Sequence, residues 1–159
     1  MSQLAYTQYQ NAGIRGLLYD LVGHDTMSYS AQGVVPMGFP VILGTNKERQ
    51  VVAANSGAVG LGALIIGLSI MQFDAEQDAT GTVVYLDKET VSVLKKGRIW
   101  VDANAAVTAG NVVNLNLANG KFTDAAVGVG VEALVQIKAK FLTSTTGAGL
   151  AVIDFTQAG

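Results

Sequence analysis

Cysteine is absent from this 159-residue chain, and histidine occurs once, as His24. The first absence excludes a disulfide framework, a thiolate metal site and a cysteine nucleophile. With one histidine and no cysteine, a zinc centre lacks its usual ligands. Charge is scarce too: Asp, Glu, Lys and Arg make up 14% of the chain, against about 25% in an ordinary soluble domain. The net charge of -2 gives no bulk attraction to nucleic acid or to an anionic membrane, and neither is expected as a partner. Residues 26–46 and 103–120 contain no charged side chain at all. Hydrophobic residues are 50% of the chain, with 19 glycines and 2 prolines. A domain of this size, expected to bury about two-thirds of its unfolded surface, cannot hide all of its neutral residues inside. Its exterior must be rich in Ala, Ser, Thr, Asn, Gln and Gly, which suits packing against other proteins, and self-association as a dimer or trimer is expected.

A secretory signal pattern is not found in residues 1–25, which lack a basic start followed by an apolar core and a cleavage site. The longest uncharged run near the middle, residues 53–73, has the length of a membrane span. Asn55, Ser56, Ser69, Gln72 and four glycines interrupt it, so it reads as a pair of buried strands around a glycine-rich turn.

What the chain does have is strand periodicity. Residues 91–123 read as three short strands joined by turns: Lys95-Lys96-Gly97 precedes Arg98 to Val101, Ala109-Gly110-Asn111 precedes residues 112–117, and Asn119-Gly120 precedes Lys121 to Thr123. Asn-Gly is the best hairpin signal in the chain, because both residues tolerate positive φ. Further strands are expected at residues 39–43, 50–54, 63–73, 82–86 and 91–95, with Asp87-Lys88-Glu89 as a turn between the last two. Near the end, Val135, Ile137, Ala139 and Phe141 alternate with Gln136, Lys138 and Lys140, and residues 150–155 close the set. No helix longer than two turns is expected. The fold class is all-β, a single β-sandwich, jelly-roll-like or barrel domain. Residues 1–35 carry four of the five tyrosines without a steady period. They are expected to form an extended N-terminal arm, with residues 36–159 as the core domain.

Chemistry is hard to assemble from this inventory. His24 beside Asp25 has no nucleophile or ligand set nearby in sequence. Asp74, Glu76 and Asp78 alternate as in a calcium loop, but Ala79 and Tyr85 stand where that loop needs Gly and Glu. Gly57, Gly60 and Gly62 run in the reverse order of a dinucleotide fingerprint. Lys95, Lys96 and Arg98, with Trp100 nearby, are too few for a nucleic-acid footprint and suit a salt bridge to a protein partner. Trp100 is expected in the core. No catalytic residue, cofactor or metal is expected.

Three segments carry a family likeness. Residues 23–43 run GHDTMSYSAQGVVPMGFPVIL, residues 91–101 contain Gly97-Arg98-Ile99-Trp100-Val101, and Gly120-Lys121-Phe122 is followed by Lys140 to Ser144 and by Gly149 to Val152. In this order they resemble the tailed-phage structural cement, or capsid decoration, proteins, with Phe39-Pro40 as a departure from the pattern. The resemblance implies a non-enzymatic virion protein, made in the host cytoplasm, that sits on the capsid exterior. It would bridge subunits of the major capsid protein and stabilise the head. An arm rich in Tyr supplies contact area at low entropy cost. The expected capsid contacts are Tyr6, Tyr9, Ile14, Leu17, Tyr19, Tyr29 and Met37. The other readings are a tail or baseplate module, a carbohydrate-binding β-sandwich and a β-fold enzyme. The sugar binder would need aromatic platforms on the core, and the enzyme a cluster of titratable groups.

Overall fold

A computed structural model describes residues 14–21, 23–54, 65–72, 76–77, 83–116, 119–126 and 134–156. Among these residues there is no helix, and therefore none long and apolar enough to cross a membrane. The strands are β1 (Asp25–Ala31), β2 (Val35–Pro36), β3 (Pro40–Leu43), β4 (Gln50–Ala53), β5 (Ile65–Ser69) and β6 (Glu76–Gln77). They continue with β7 (Val83–Tyr85), β8 (Thr90–Ala103), β9 (Val112–Asn116), β10 (Lys121–Thr123), β11 (Leu134–Phe141) and β12 (Gly149–Thr156).

The spine is β8, 14 residues long. Its first half pairs antiparallel with β1, from Ser30 opposite Thr90 to Asp25 opposite Lys96. Its second half pairs antiparallel with β12, from Thr156 opposite Lys96 to Gly149 opposite Ala103. The remaining pairings close two circuits through this one strand. The first runs β8–β1–β4–β3–β5 and back to β8. The second is a closed five-strand barrel, β8–β10–β9–β11–β12 and back to β8. A smaller sheet, β2–β7–β6, stands beside them. Closure removes most of the exposed sheet edge on which foreign strands could add.

Alternation along β8 explains the two cores. Val91 and Val93 pack with Tyr29, Ala31, Val41 and Val51 in the first circuit. Ile99, Val101 and Ala103 pack with Leu115, Phe122, Phe141 and Ile153 inside the barrel. Leu94 comes from the opposite face of the strand and joins the barrel core.

An expectation is corrected here. Lys95-Lys96-Gly97 is no turn, because β8 runs straight through it. Gly97 takes φ +140, and a Cβ there would stand 3.0 Å from His24 Cβ. The glycine lets one long strand twist from one core to the other. Of the strand pair expected within residues 53–73, residues 55–64 and 73 lie outside the described residues; β5 pairs with β3 and β8, and β4 lies on the other side of β3. The Asn119-Gly120 hairpin does form, with Gly120 N–H donating to Asn116 O at 2.8 Å and Lys121 N–H to Asn119 Oδ1 at 2.9 Å. Of the segment expected as an arm, residues 25–31 are β1 and are paired into the main sheet.

Candidate interaction surface

Residues 14–21 lie along the second half of β8 as a strap. Gly16 N–H donates to Trp100 O at 2.9 Å, Trp100 N–H to Leu17 O at 3.0 Å, and Tyr19 N–H to Arg98 O at 2.9 Å. Both backbone groups of Trp100 face the strap, so β12 occupies the opposite edge of β8. The strap's other side is held by Met71 N–H, which donates to Gly16 O at 2.8 Å. Close approach fixes the position. Gly16 and Gly38 have φ +82 and +64, and a Cβ on Gly16 would be 2.7 Å from Gly38 N. A side chain at Gly16 would therefore push the strap off the β2–β3 corner.

Ion pairs secure both ends of the strap. Arg15 donates to Asp102 at 3.1 Å, and its guanidinium lies 5.6 Å from the Phe39 ring centre. Arg98 donates to Asp20 at 2.7 Å, and its Nε stands 3.6 Å from Asp154 Oδ2. The hydrogen bond to Asp20 is the main reason the Arg98 pKa rises above its ordinary value, with the charge of Asp20 next and Asp154 adding less. The arginine expected to meet a protein partner is thus paired inside the chain.

Alternation turns half of the strap outward. Leu18 packs on the barrel core. Ile14, Tyr19 and Leu21 are 55%, 52% and 75% exposed. Tyr19 meets Trp100 edge-on, with ring centres 5.9 Å apart at 63°. Trp100 is half-buried under this contact, rather than in the core beside Ile99 and Val101. The result is an apolar, aromatic ridge on a backbone fixed from both sides.

The expected contact residues fall into three groups. Ile14, Leu17 and Tyr19 come together on the strap, with Leu17 half-buried. Tyr6 and Tyr9 lie outside the described residues. Tyr29 and Met37 are buried in the first core. The Tyr29 hydroxyl donates to Met27 Sδ at 3.2 Å, and Gln72 N–H donates to Met37 Sδ at 3.4 Å. Burial of Tyr29 had no signal in the aperiodic segment 1–35; it follows from the pairing of β1 with β8. Leu21 was missed, because an isolated leucine in an aperiodic segment carries no pattern.

Little here supports a reaction. His24 is exposed, with Nδ1 2.9 Å from Leu21 O and no carboxylate or hydroxyl bonded to it among the described residues. No group of three or more potential metal ligands occurs among the described residues. Asp74 and Asp78 lie outside the described residues. Arg15 Nε, Asp20 Oδ1 and Asn114 Oδ1 are buried without a hydrogen-bond partner among the described residues, and two of these belong to the strap's ion pairs.

A family model described as structural cement protein (E217 gp24/Pam3 gp6) matches residues 2–156. Among solved structures, a chain from "The capsid of Myoviridae Phage XM1" has the same fold, with a TM-score of 0.72 at 16% identity over 96% of this chain and 95% of that one. No curated protein matches.

Proposed function

This chain belongs to the phage structural cement protein family, whose members are virion structural proteins, and from that premise we propose that it binds the outer surface of a phage capsid. It bridges subunits of the major capsid protein there and stabilises the head. The observation that carries the reading is the family match from end to end, residues 2–156. The physical support is the exposed ridge of Ile14, Tyr19 and Leu21, locked on β8 by backbone bonds and ion pairs. A ridge that is already ordered loses little entropy when covered. Ile14, Leu17 and Tyr19 are the capsid contacts of this surface, with Tyr6 and Tyr9 preceding it in the chain. Tyr29 and Met37, buried in the first core, are not part of it. A protein that touches two subunits at once gains through effective concentration, so modest contacts sum to a durable clamp.

The test is co-sedimentation with heads assembled from the cognate major capsid protein. Wild type saturates at a fixed ratio per capsid subunit. The pair I14A and Y19A, which leaves both cores untouched, lowers the affinity by about tenfold or more. Absence of wild-type binding to heads would refute the capsid reading.

A further inference from the structure

Resting on that capsid reading, we propose a second docking site, a trough on the outer face of β9, β11 and β12 that takes an extended acidic segment of the capsid protein. The β9–β11 ladder pairs Gln136 with Asn114, and its next pairing is Lys140 with Val112. Four steps on β11 thus face two on β9, and Ile137, Lys138 and Ala139 have no partner in that ladder. An irregularity of this kind bends the strand away from its neighbour. The bend opens a cleft of about 630 Å³ lined by Gln136, Lys138, Lys140, Val112, Leu142 and Asp154.

The lining has a definite chemistry. Val112 and Leu142 are 41% and 40% exposed and give the trough an apolar patch. Lys138 and Lys140 point outward, because Ile137, Ala139 and Phe141 take the inward positions of β11. They stand one strand repeat apart, about 6.8 Å. Neither lysine forms an ion pair among the described residues. Asp154 lies directly opposite Lys140 in the β11–β12 ladder, but it is shared with Arg98 at 3.6 Å, and Arg98 itself holds Asp20. The trough therefore keeps uncompensated positive charge on a chain of net charge -2. Carboxylates one strand repeat apart match the lysine pair, and a non-polar side chain beside them fills the patch of Val112 and Leu142. Two lysines beside a carboxylate, with no aromatic among the lining residues, do not suit a nucleic acid.

Between the strap and the lysines of β11 lie β8 and β12, so one copy offers two contacts to its lattice. The test uses K138E/K140E at exposed positions, with thermal unfolding measured alongside because K140E sets a like charge opposite Asp154. Two readouts are run at low and at physiological salt: co-sedimentation with heads, and fluorescence anisotropy with a labelled peptide of alternating Asp and Val. A Lys/Val peptide is the control. Wild type binds the acidic peptide and not the basic one, and K138E/K140E loses about tenfold or more on both peptide and heads. If wild type binds heads and the double variant binds them equally, the trough is not a docking site and the capsid reading stands. If wild type fails on heads, that reading falls, and the peptide arm still decides the trough. Concentration-dependent self-association abolished by K138E/K140E would instead identify the occupant as a second copy and overturn the proposal.

Discussion

Tyr85 is a residue whose ionisation is tied to folding. Its hydroxyl donates to Ile70 O from a buried position. Burial raises its pKa above the usual phenol value, a backbone hydrogen bond with Ser92 offsets part of that, and Glu89 raises it further. The neutral phenol is the form the fold holds. Its contribution is therefore complete below the unfolded pKa and is lost as pH rises through the higher folded value. Tyr85→Phe leaves Ile70 O without this donor and costs about 1–2 kcal/mol at neutral pH. Urea unfolding of both proteins between about pH 8 and 11.5 checks the sign, because the gap between wild type and Y85F narrows as pH climbs past about 10. A gap that widens with pH would show that the phenolate, not the phenol, is stabilised in the fold.

At the scale of one element, the strap is an extended segment that owes its place to β8. Its periodicity is too short to read as a strand, since only Leu18 opposite Ile99 forms a ladder bridge. What fixes it are partners far along the chain: Trp100, Asp102 and Arg98. Removing the charge with Asp20→Asn leaves Arg98 only its longer contact with Asp154. Solvent screens such a part-exposed pair, so its loss loosens the strap locally rather than the whole fold. The chain has one tryptophan, so the consequence can be read directly. D20N is expected to shift Trp100 emission to the red and to speed amide exchange at Gly16 and Tyr19 by about threefold, with global unfolding little changed. The trough is an element-scale feature of the same kind. Lys138 and Lys140 were legible as the outer face of a half-buried strand. The missing ladder partners that open the cleft depend on β9 and had no trace in the pattern of β11.

For the whole molecule, one strand serves two cores, so damage to β8 or to its partners spreads. Removing residues 1–13 removes none of the described strands, and the melting temperature is expected to stay within a few degrees of wild type. Removing residues 1–31 deletes β1, opens the first circuit between β8 and β4, and exposes Val91 and Val93. That loss is several kcal/mol and yields an aggregation-prone or unfolded chain. Calorimetry on the two truncations separates these outcomes. A folded, stable product lacking residues 1–31 would mean that the barrel around Phe122 and Phe141 stands without the first circuit. The same comparison sets the boundary for binding studies, since only the shorter truncation tests the segment before the strap without breaking the sheet.

The sequence alone determined the β class, most strand positions, the Asn119-Gly120 hairpin and the alternating faces of β11, because period and turn chemistry are local properties. The ordered motifs from Gly23 to Val152 also pointed to the phage cement family that the match over residues 2–156 establishes. Tertiary structure decided what local properties cannot. Gly97 looked like a turn, but His24 and Leu94 crowd it in the middle of a strand. Arg98 looked free for a partner, but Asp20 lies 78 positions away in sequence and claims it. Tyr29 and Tyr19 looked alike as tyrosines of one aperiodic segment. Pairing with β8 turned the first into the core and left the second on the ridge, because which face of a strand is buried is set by the sheet that receives it.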